Sequence, residues 1–346
     1  LNRRIFFTAV LLAVLLCSLS CGCGAEKSSG QIQNVKIGVS VYRKDDTFVS
    51  SLCTDLENDA KAKETESGTK INLNIVESQS SQALQNDQVD SFLSGNYNVI
   101  CVNMVDRTAA AVIVDKAKKE NVPVIFFNRE PVEEDLRMWS EAYYVGADAA
   151  QSGTLQGEII QNAFRKDPRS IDRNGDGVIQ YVILEGEQGH QDALLRTEYS
   201  VKKLVDSGLK VEKLADDTAN WQRAQGAAKM TQWIQKFGKR IEVVLCNNDD
   251  MALGAIDAVR ESSLKSNAPA VVGVDGTRPG LEAIRDGSML GTVLNDASQQ
   301  AKAIFDLSYS FACGKGVPGS VKLTSGHYVK IPYRIVTKEN LAKYLS

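Results

Sequence analysis

The chain has 346 residues, 43% of them hydrophobic and 24% charged, with a formal net charge of −3. That length accommodates about two domains, each with its own core, and the composition is that of an ordinary soluble globular protein. The slight acidity and the lack of a long basic run argue against a nucleic-acid partner.

At the N-terminus, Arg3 and Arg4 precede the apolar run Ile5 to Leu16, and small residues and cysteines follow from Cys17 to Gly24. This is the build of a secretory signal, too short and wrongly flanked for a stable membrane span. The cysteines have the look of a bacterial lipobox, so residues 1–20 are expected to be a lipoprotein signal peptide. Cys21, after Ser18-Leu19-Ser20, is favoured over Cys23 as the lipidated first residue; a cleaved signal without lipid is the alternative. Residues 21–34, polar from Ala25 onward, read as a tether. The other four cysteines, Cys53, Cys101, Cys246 and Cys313, are scattered over apolar patterns and are expected to be buried free thiols.

From residue 35 an apolar strand followed by an amphipathic helix recurs along the chain. Strand-like runs are Val35–Val41, Ile71–Val76, Val99–Val102, Val122–Phe127, Tyr181–Leu184, Leu209–Leu214, Ile241–Leu245, Ala270–Val274 and Leu290–Leu294. In the first helix, Phe48, Leu52, Leu56 and Ala60 share one face. Continuous Val/Ile runs predict strands buried on both faces, hence parallel sheets covered by helices. There are too many strands for one sheet, so the expected α/β fold has two doubly wound, Rossmann-like lobes, with Lys330-Ile-Pro-Tyr-Arg334 as a late crossover.

Residues Asp172 to Ile183 read as a calcium loop without its last ligand. Asp172, Asn174 and Asp176 occupy the first three ligand positions, Gly177 the sharp turn, the Val178 carbonyl position 7 and Gln180 position 9. Position 12, normally a bidentate Glu, is Ile183 inside an apolar strand. A hard cation there needs a carboxylate from elsewhere in the chain; the alternative is an Asx-rich turn that binds nothing.

In doubly wound sheets ligands bind beyond the carboxyl ends of the strands. The residues there are Tyr42 and Asp46, Asn128, Glu185 to Asp192, Asn247-Asn248-Asp249, Asp275 and Asn295-Asp296, with Arg196, His190, Phe48 and Trp221 nearby. Amides and carboxylates suit a ligand with many hydroxyls, and flat aromatic faces suit the C–H face of a pyranose. No Gly-rich phosphate loop or Lys cluster is present. Each Asn or Asp singly could be a helix N-cap or turn residue.

The chain resembles the galactose/glucose-binding branch of the type I periplasmic sugar-binding proteins that feed ABC transporters. The resemblance runs from about Val35 to Leu345. It is carried by Ile37-Gly-Val-Ser-Val-Tyr42 with Asp45-Asp-Thr-Phe48, Asn121-Val-Pro-Val-Ile-Phe-Phe-Asn-Arg-Glu-Pro131, Tyr143-Tyr-Val-Gly146, Gly186-Glu-Gln-Gly-His-Gln-Asp192, Asn247-Asn-Asp249, Gly273-Val-Asp275 and Gly291-Thr-Val-Leu-Asn-Asp296. It implies the type I periplasmic-binding-protein fold, with a hinge and crossings near 146, 295 and 329. One lobe would hold residues 35–145 and 297–328, the other residues 148–294 and 331–346.

The resemblance further implies that Phe48 and Trp221 sandwich a hexose. Asp46, Asn128, His190, Asp192, Arg196, Asn248, Asp275 and Asn295 would hydrogen-bond it, and Tyr42 would line the cleft. The carboxylate at the position of Asp46 serves the 4-hydroxyl of glucose and galactose alike in this family. The calcium loop is completed there by a Glu at the start of a neighbouring strand, here Glu242, so calcium is expected in a structural role at the pole opposite the sugar. The chain departs from the family at Val178, at Gln191 where Pro is common, at Cys246 and in its lipobox. The expected partners are a hexose and an ABC transporter permease, served by a monomer outside the cytoplasm that is lipid-anchored to the membrane.

Other functions find less support. His190 and His327 are the only histidines, and no Ser-His-Asp or zinc spacing emerges, so an enzyme is not expected. Asp46, Asp192 and Asp275 as a glycosidase pair would be unusual among so many Asn and Arg hydrogen-bonders. A sugar-responsive transcription factor shares the fold, but no helix-turn-helix precedes residue 35. The exception is a sensory subunit presenting hexose to a chemoreceptor or sensor kinase, which would use the same binding site and fits the sequence as well as transport does.

Overall fold

The computed structural model describes residues 34–345; the expected signal peptide, Cys21 and all but the last residue of the tether lie outside the described residues. The strands are β1 (Asn34–Val41), β2 (Lys70–Glu77), β3 (Val99–Val102), β4 (Val124–Phe127), β5 (Ala142–Gly146), β6 (Ile179–Glu185), β7 (Val211–Thr218), β8 (Val243–Cys246), β9 (Ala270–Asp275), β10 (Gly291–Leu294), β11 (Tyr328–Lys330) and β12 (Arg334–Thr337). They form two six-stranded sheets, ordered β11-β5-β4-β3-β1-β2 and β12-β10-β9-β8-β6-β7. All pairings are parallel except β10 with β12.

The apolar runs explain this arrangement. Every residue of Val-Ile-Cys-Val in β3 and Val-Ile-Phe-Phe in β4 is buried, because helices cover both faces of the sheet. On the helix Thr47–Ser67, Phe48, Leu52, Leu56 and Ala60 are buried as their spacing predicts, and this helix packs against the helix Ala297–Ala312. Burying a side chain such as Leu52 contributes about 1.5–3 kcal/mol. The four cysteines are free thiols, but only Cys101 and Cys246 are fully buried; Cys53 and Cys313 are half-buried.

Three short strands escape the sequence reading. β5 is rich in aromatics and pairs β4, while β11 and β12 are three and four residues long. The expected crossover is present in the structure. The chain leaves β11 at Lys330, and by Arg334 it pairs with β10 in the other sheet. The lobes are thus joined after Gly146, between Leu294 and Ala297, and between Lys330 and Arg334.

In each sheet the strand order reverses once, beside β1 in the first and beside β6 in the second. A crevice opens at such a reversal beyond the carboxyl ends of the strands. The polar residues that follow β1, β4, β6, β8 and β9 therefore converge.

Candidate functional site

One cavity is lined by Tyr42, Asp46, Phe48, Asn128, Arg129, His190, Asp192, Arg196, Trp221, Asn248 and Asp275. The space among them free of protein atoms is about 330 Å³, counting what is open to solvent. Residues up to Arg129 come from the first lobe and the rest from the second. Ten of the eleven expected sugar-contacting residues lie here. Asn295 does not. It follows β10 and is buried, and its Oδ1 accepts a 2.6 Å hydrogen bond from Gln300 Nε2 in the next helix. Arg129 is the lining residue that sequence reasoning missed, although it directly follows the expected Asn128.

Several lining residues also cap helices, so the two roles weighed from sequence coincide. Asp46 Oδ1 accepts from Val49 N at 2.9 Å, and its Oδ2 accepts from the Tyr42 hydroxyl at 2.5 Å. Asn248 Oδ1 accepts from Met251 N, while its Nδ2 donates to the Trp221 carbonyl. His190 Nδ1 accepts from Asp192 N at 3.1 Å. Capping fixes these side chains before any ligand arrives.

The backbone around the cavity is unusual. Asn128 (φ 61°), Trp221 (φ 64°) and Asp275 (φ 114°) all have positive φ without being glycine. Such conformations cost on the order of 1–3 kcal/mol each and persist where the surroundings over-determine them. Asn128 Oδ1 accepts from Asn103 Nδ2, and its carbonyl accepts from the Tyr144 hydroxyl. Gly186 lets Trp221 pack, since a Cβ there would lie 2.0 Å from the indole ring.

Charge is arranged around Arg196. Its Nη1 donates to the Asn247 carbonyl at 2.7 Å, and its Nη2 donates to the Tyr333 hydroxyl at 3.0 Å and to Asp192 at 3.2 Å. Asp275 lies 3.7 Å from Nη1. Burial pushes Asp275 well above the usual carboxylate range and raises Asp192, and the guanidinium opposes both shifts. The buried Nε of Arg196 has no partner among the described residues. Burial, helped by Arg129 and Arg196, holds His190 well below its ordinary value. The imidazole is therefore neutral at pH 7, and with Nδ1 accepting, its proton sits on Nε2 as a donor. The cavity thus sets hydrogen-bond donors and acceptors side by side.

The expected calcium loop lies at the opposite end of β6 from His190. Asp172 Oδ1 and Oδ2 accept from Gly175 N and Gly177 N, and Asp176 Oδ1 accepts from Val178 N. Gln180 Oε1 accepts from Asn174 Nδ2, and Gln180 Nε2 donates to Asp176 Oδ2. Glu242 is fully buried and joins the loop, its carboxylate accepting from the backbone N–H groups of Arg173, Asn174 and Gln180. Among the described residues, no lysine or arginine forms an ion pair with Asp172, Asp176 or Glu242. Three carboxylates gathered without an ion-pair partner fit a cation, although the Arg173 guanidinium acts on Glu242 and that of Arg240 on Asp176 from farther away. No three His, Cys, Asp or Glu side chains form a ready metal cluster among the described residues, so such a cation would depend on amide and carbonyl oxygens too.

Residues 37–316 match the model of the periplasmic binding protein domain. The D-galactose/methyl-galactoside binding periplasmic protein MglB of Haemophilus influenzae is 38% identical over 340 residues, covering 98% of this chain and 99% of its own. A putative rhizopine-binding protein of Rhizobium meliloti is 31% identical, covering 89% and 92%. An ABC transporter solute binding protein of Bacillus halodurans with bound myo-inositol superposes with a TM-score of 0.76 at 28% identity, covering 91% of this chain and 99% of that one. Among the described residues no helix is long and apolar enough to cross a membrane. The chain belongs to the periplasmic binding protein family, whose members are extracytoplasmic substrate-binding proteins of transport systems and not enzymes.

Proposed function

We propose that this protein captures D-galactose or D-glucose outside the cytoplasm and delivers it to an ABC transporter permease by hinged closure. The observation that carries the reading is that Phe48 from one lobe and Trp221 from the other line a single cavity ringed by Asp46, Asn128, His190, Asp192, Arg196, Asn248 and Asp275. Aromatic faces cover the C–H faces of a pyranose, and the polar ring meets its hydroxyls. Asp46 carboxylate oxygens accept from a 4-hydroxyl, and His190 Nε2 and the unpartnered Arg196 Nε donate. Arg196 stands between Asp192 and Asp275, which prevents two buried carboxylates from repelling one another when the cleft dries. A ligand touching both lobes binds the closed form more tightly than the open one, and that difference shifts the population toward closure. The relative at 38% identity, with its galactoside-binding name, supports the hexose.

Asn295 belongs to this proposal in a secondary place, in the crossing segment after β10 where Gln300 holds it. The proposal also includes a structural calcium ion held by Asp172, Asn174, Asp176, the Val178 carbonyl, Gln180 and Glu242. The ion neutralises the buried Glu242 and pins the loop to β8. A lipid on Cys21 keeps the receptor near its permease; the expected outcome of Cys21→Ser is a shift of the protein from the membrane fraction to the medium or periplasm.

Titration calorimetry with galactose, glucose and ribose tests the ligand. Hexose heats with no ribose response are expected. Tight ribose binding without a hexose response overturns the assignment.

A further inference from the structure

We propose that Arg129 is a positioning residue whose ion pair with Glu187 clasps the two lobes over the bound sugar and sets how long the sugar stays. The proposal rests on the hexose-binding reading above and deepens it.

Arg129 follows β4 in the first lobe and is only 6% exposed. Its guanidinium lies 3.7 Å from the centroid of the Tyr42 ring, a cation–π distance. Its Nη1 donates to the Val105 carbonyl at 3.0 Å, and its Nη2 meets Glu187 Oε2 at 3.0 Å. Glu187 belongs to the other lobe, in the loop between β6 and the helix that begins at Gln191. Tyr42 and Val105 hold Arg129 within its own lobe, whether the lobes are together or apart. Glu187 can be met only when they are together.

The position of this pair matters as much as its strength. Beside the sugar cavity lies a second chamber, of about 740 Å³ free of protein atoms counting what is open to solvent. Its lining includes Arg107, Glu130 and Glu187, and it shares Arg129, His190 and Asp192 with the sugar cavity. Those three residues form the wall between the chambers, and the Arg129–Glu187 contact ties that wall across the lobe boundary. On the inner side Arg129 lies on Tyr42, whose hydroxyl donates to Asp46. Opening the clasp therefore loosens a chain that ends on an expected sugar-binding carboxylate. A second bridge, from the Thr47 hydroxyl to Asp250 at 2.6 Å, crosses between the lobes from another helix start and is not replaced by this one.

The test is stopped-flow Trp fluorescence with D-galactose and D-glucose on the full protein, comparing Glu187→Gln, Arg129→Met and the double variant. Truncating one partner of a hydrogen-bonded charge pair acts mainly on dissociation. Glu187 is partly exposed, so solvent moderates the effect. Glu187→Gln should raise koff about fivefold to thirtyfold with kon changed by less than about threefold. The double variant should dissociate no faster than Arg129→Met alone. Salt should raise koff in the wild type but not in Glu187→Gln, which a merely structural residue would not produce. Glu187→Gln sits on a loop, so it keeps the test valid if Arg129→Met folds poorly. Hexose binding with an unchanged koff in Glu187→Gln overturns the clasp alone; a wild type that captures no hexose overturns the hexose reading and the clasp with it.

Discussion

Replacing Gly186 by alanine would place a new Cβ 2.0 Å from Cζ2 and 2.1 Å from Cη2 of Trp221. Carbon atoms at rest sit about 3.5–4.0 Å apart, so the ring would have to retreat by roughly 1.5 Å. The backbone of Gly186 is not in the left-handed region, so alanine meets no conformational penalty there and the indole is the whole obstacle. Overpacking of this kind costs about 1–3 kcal/mol. Trp221 is anchored by its own carbonyl, which accepts from Asn248 Nδ2, so the ring moves and the backbone stays. We expect the sugar to lose its second aromatic plate, weakening binding by about 1–3 kcal/mol, or roughly fivefold to 150-fold. Calorimetry with galactose and glucose reads the affinity, and a melt of the sugar-free protein reads the fold. A large loss of affinity with a melting temperature lowered by only a few degrees is the expected result. Unchanged hexose affinity would remove Trp221 from the binding surface and refute the reasoning.

Three further outcomes are expected. Removing either plate outright, Phe48→Ala or Trp221→Ala, should abolish hexose heats at concentrations that saturate the wild type; retained binding in both variants contradicts the stacking role. Chelating calcium should lower the melting temperature more than it weakens hexose affinity, because Glu242 and Asp172 stand at the far end of β6 from His190. An unchanged melt of protein shown to be metal-free removes the calcium site. Asp249 is fully buried, and burial raises its pKa to about 7 from 3.8, against hydrogen bonds from Thr292 and Thr277 that oppose the rise. The folded state then holds a proton that the unfolded state has released between about pH 4 and 7, so stability from this group is present at low pH and is lost as pH rises through 7. Relative to Asp249→Asn, wild-type stability from urea melts should fall across that window by up to about 4 kcal/mol, and a pH-independent difference would contradict the burial argument.

Much of the architecture was legible because buried parallel strands carry uninterrupted Val and Ile. Val99–Val102 and Ala270–Val274 stand out for that reason, and Asp275, beyond the second of them, was among the residues that marked the cavity. β5, β11 and β12 were not legible as strands, since three to five residues of mixed aromatic and polar character carry no periodic signal. Arg129 was hidden by type. One arginine at a strand end is read as surface charge, and only the fold sets it on Tyr42 and opposite Glu187. Asn295 and Asp249 are the converse case, since neither lines the cavity. Both sit at strand ends like the lining residues, yet Gln300 binds the first and Thr277 and Thr292 bury the second. Strand-end position predicts where a side chain starts, and local hydrogen bonds decide where it points.

The most direct measurement is a crystal structure of the protein grown with D-galactose. The account predicts a pyranose in the cavity with its two C–H faces against Phe48 and Trp221, and with hydroxyl oxygens within hydrogen-bond distance of Asp46, Asn248 and Asp275. A sugar bound elsewhere, with that cavity filled only by water, would contradict it.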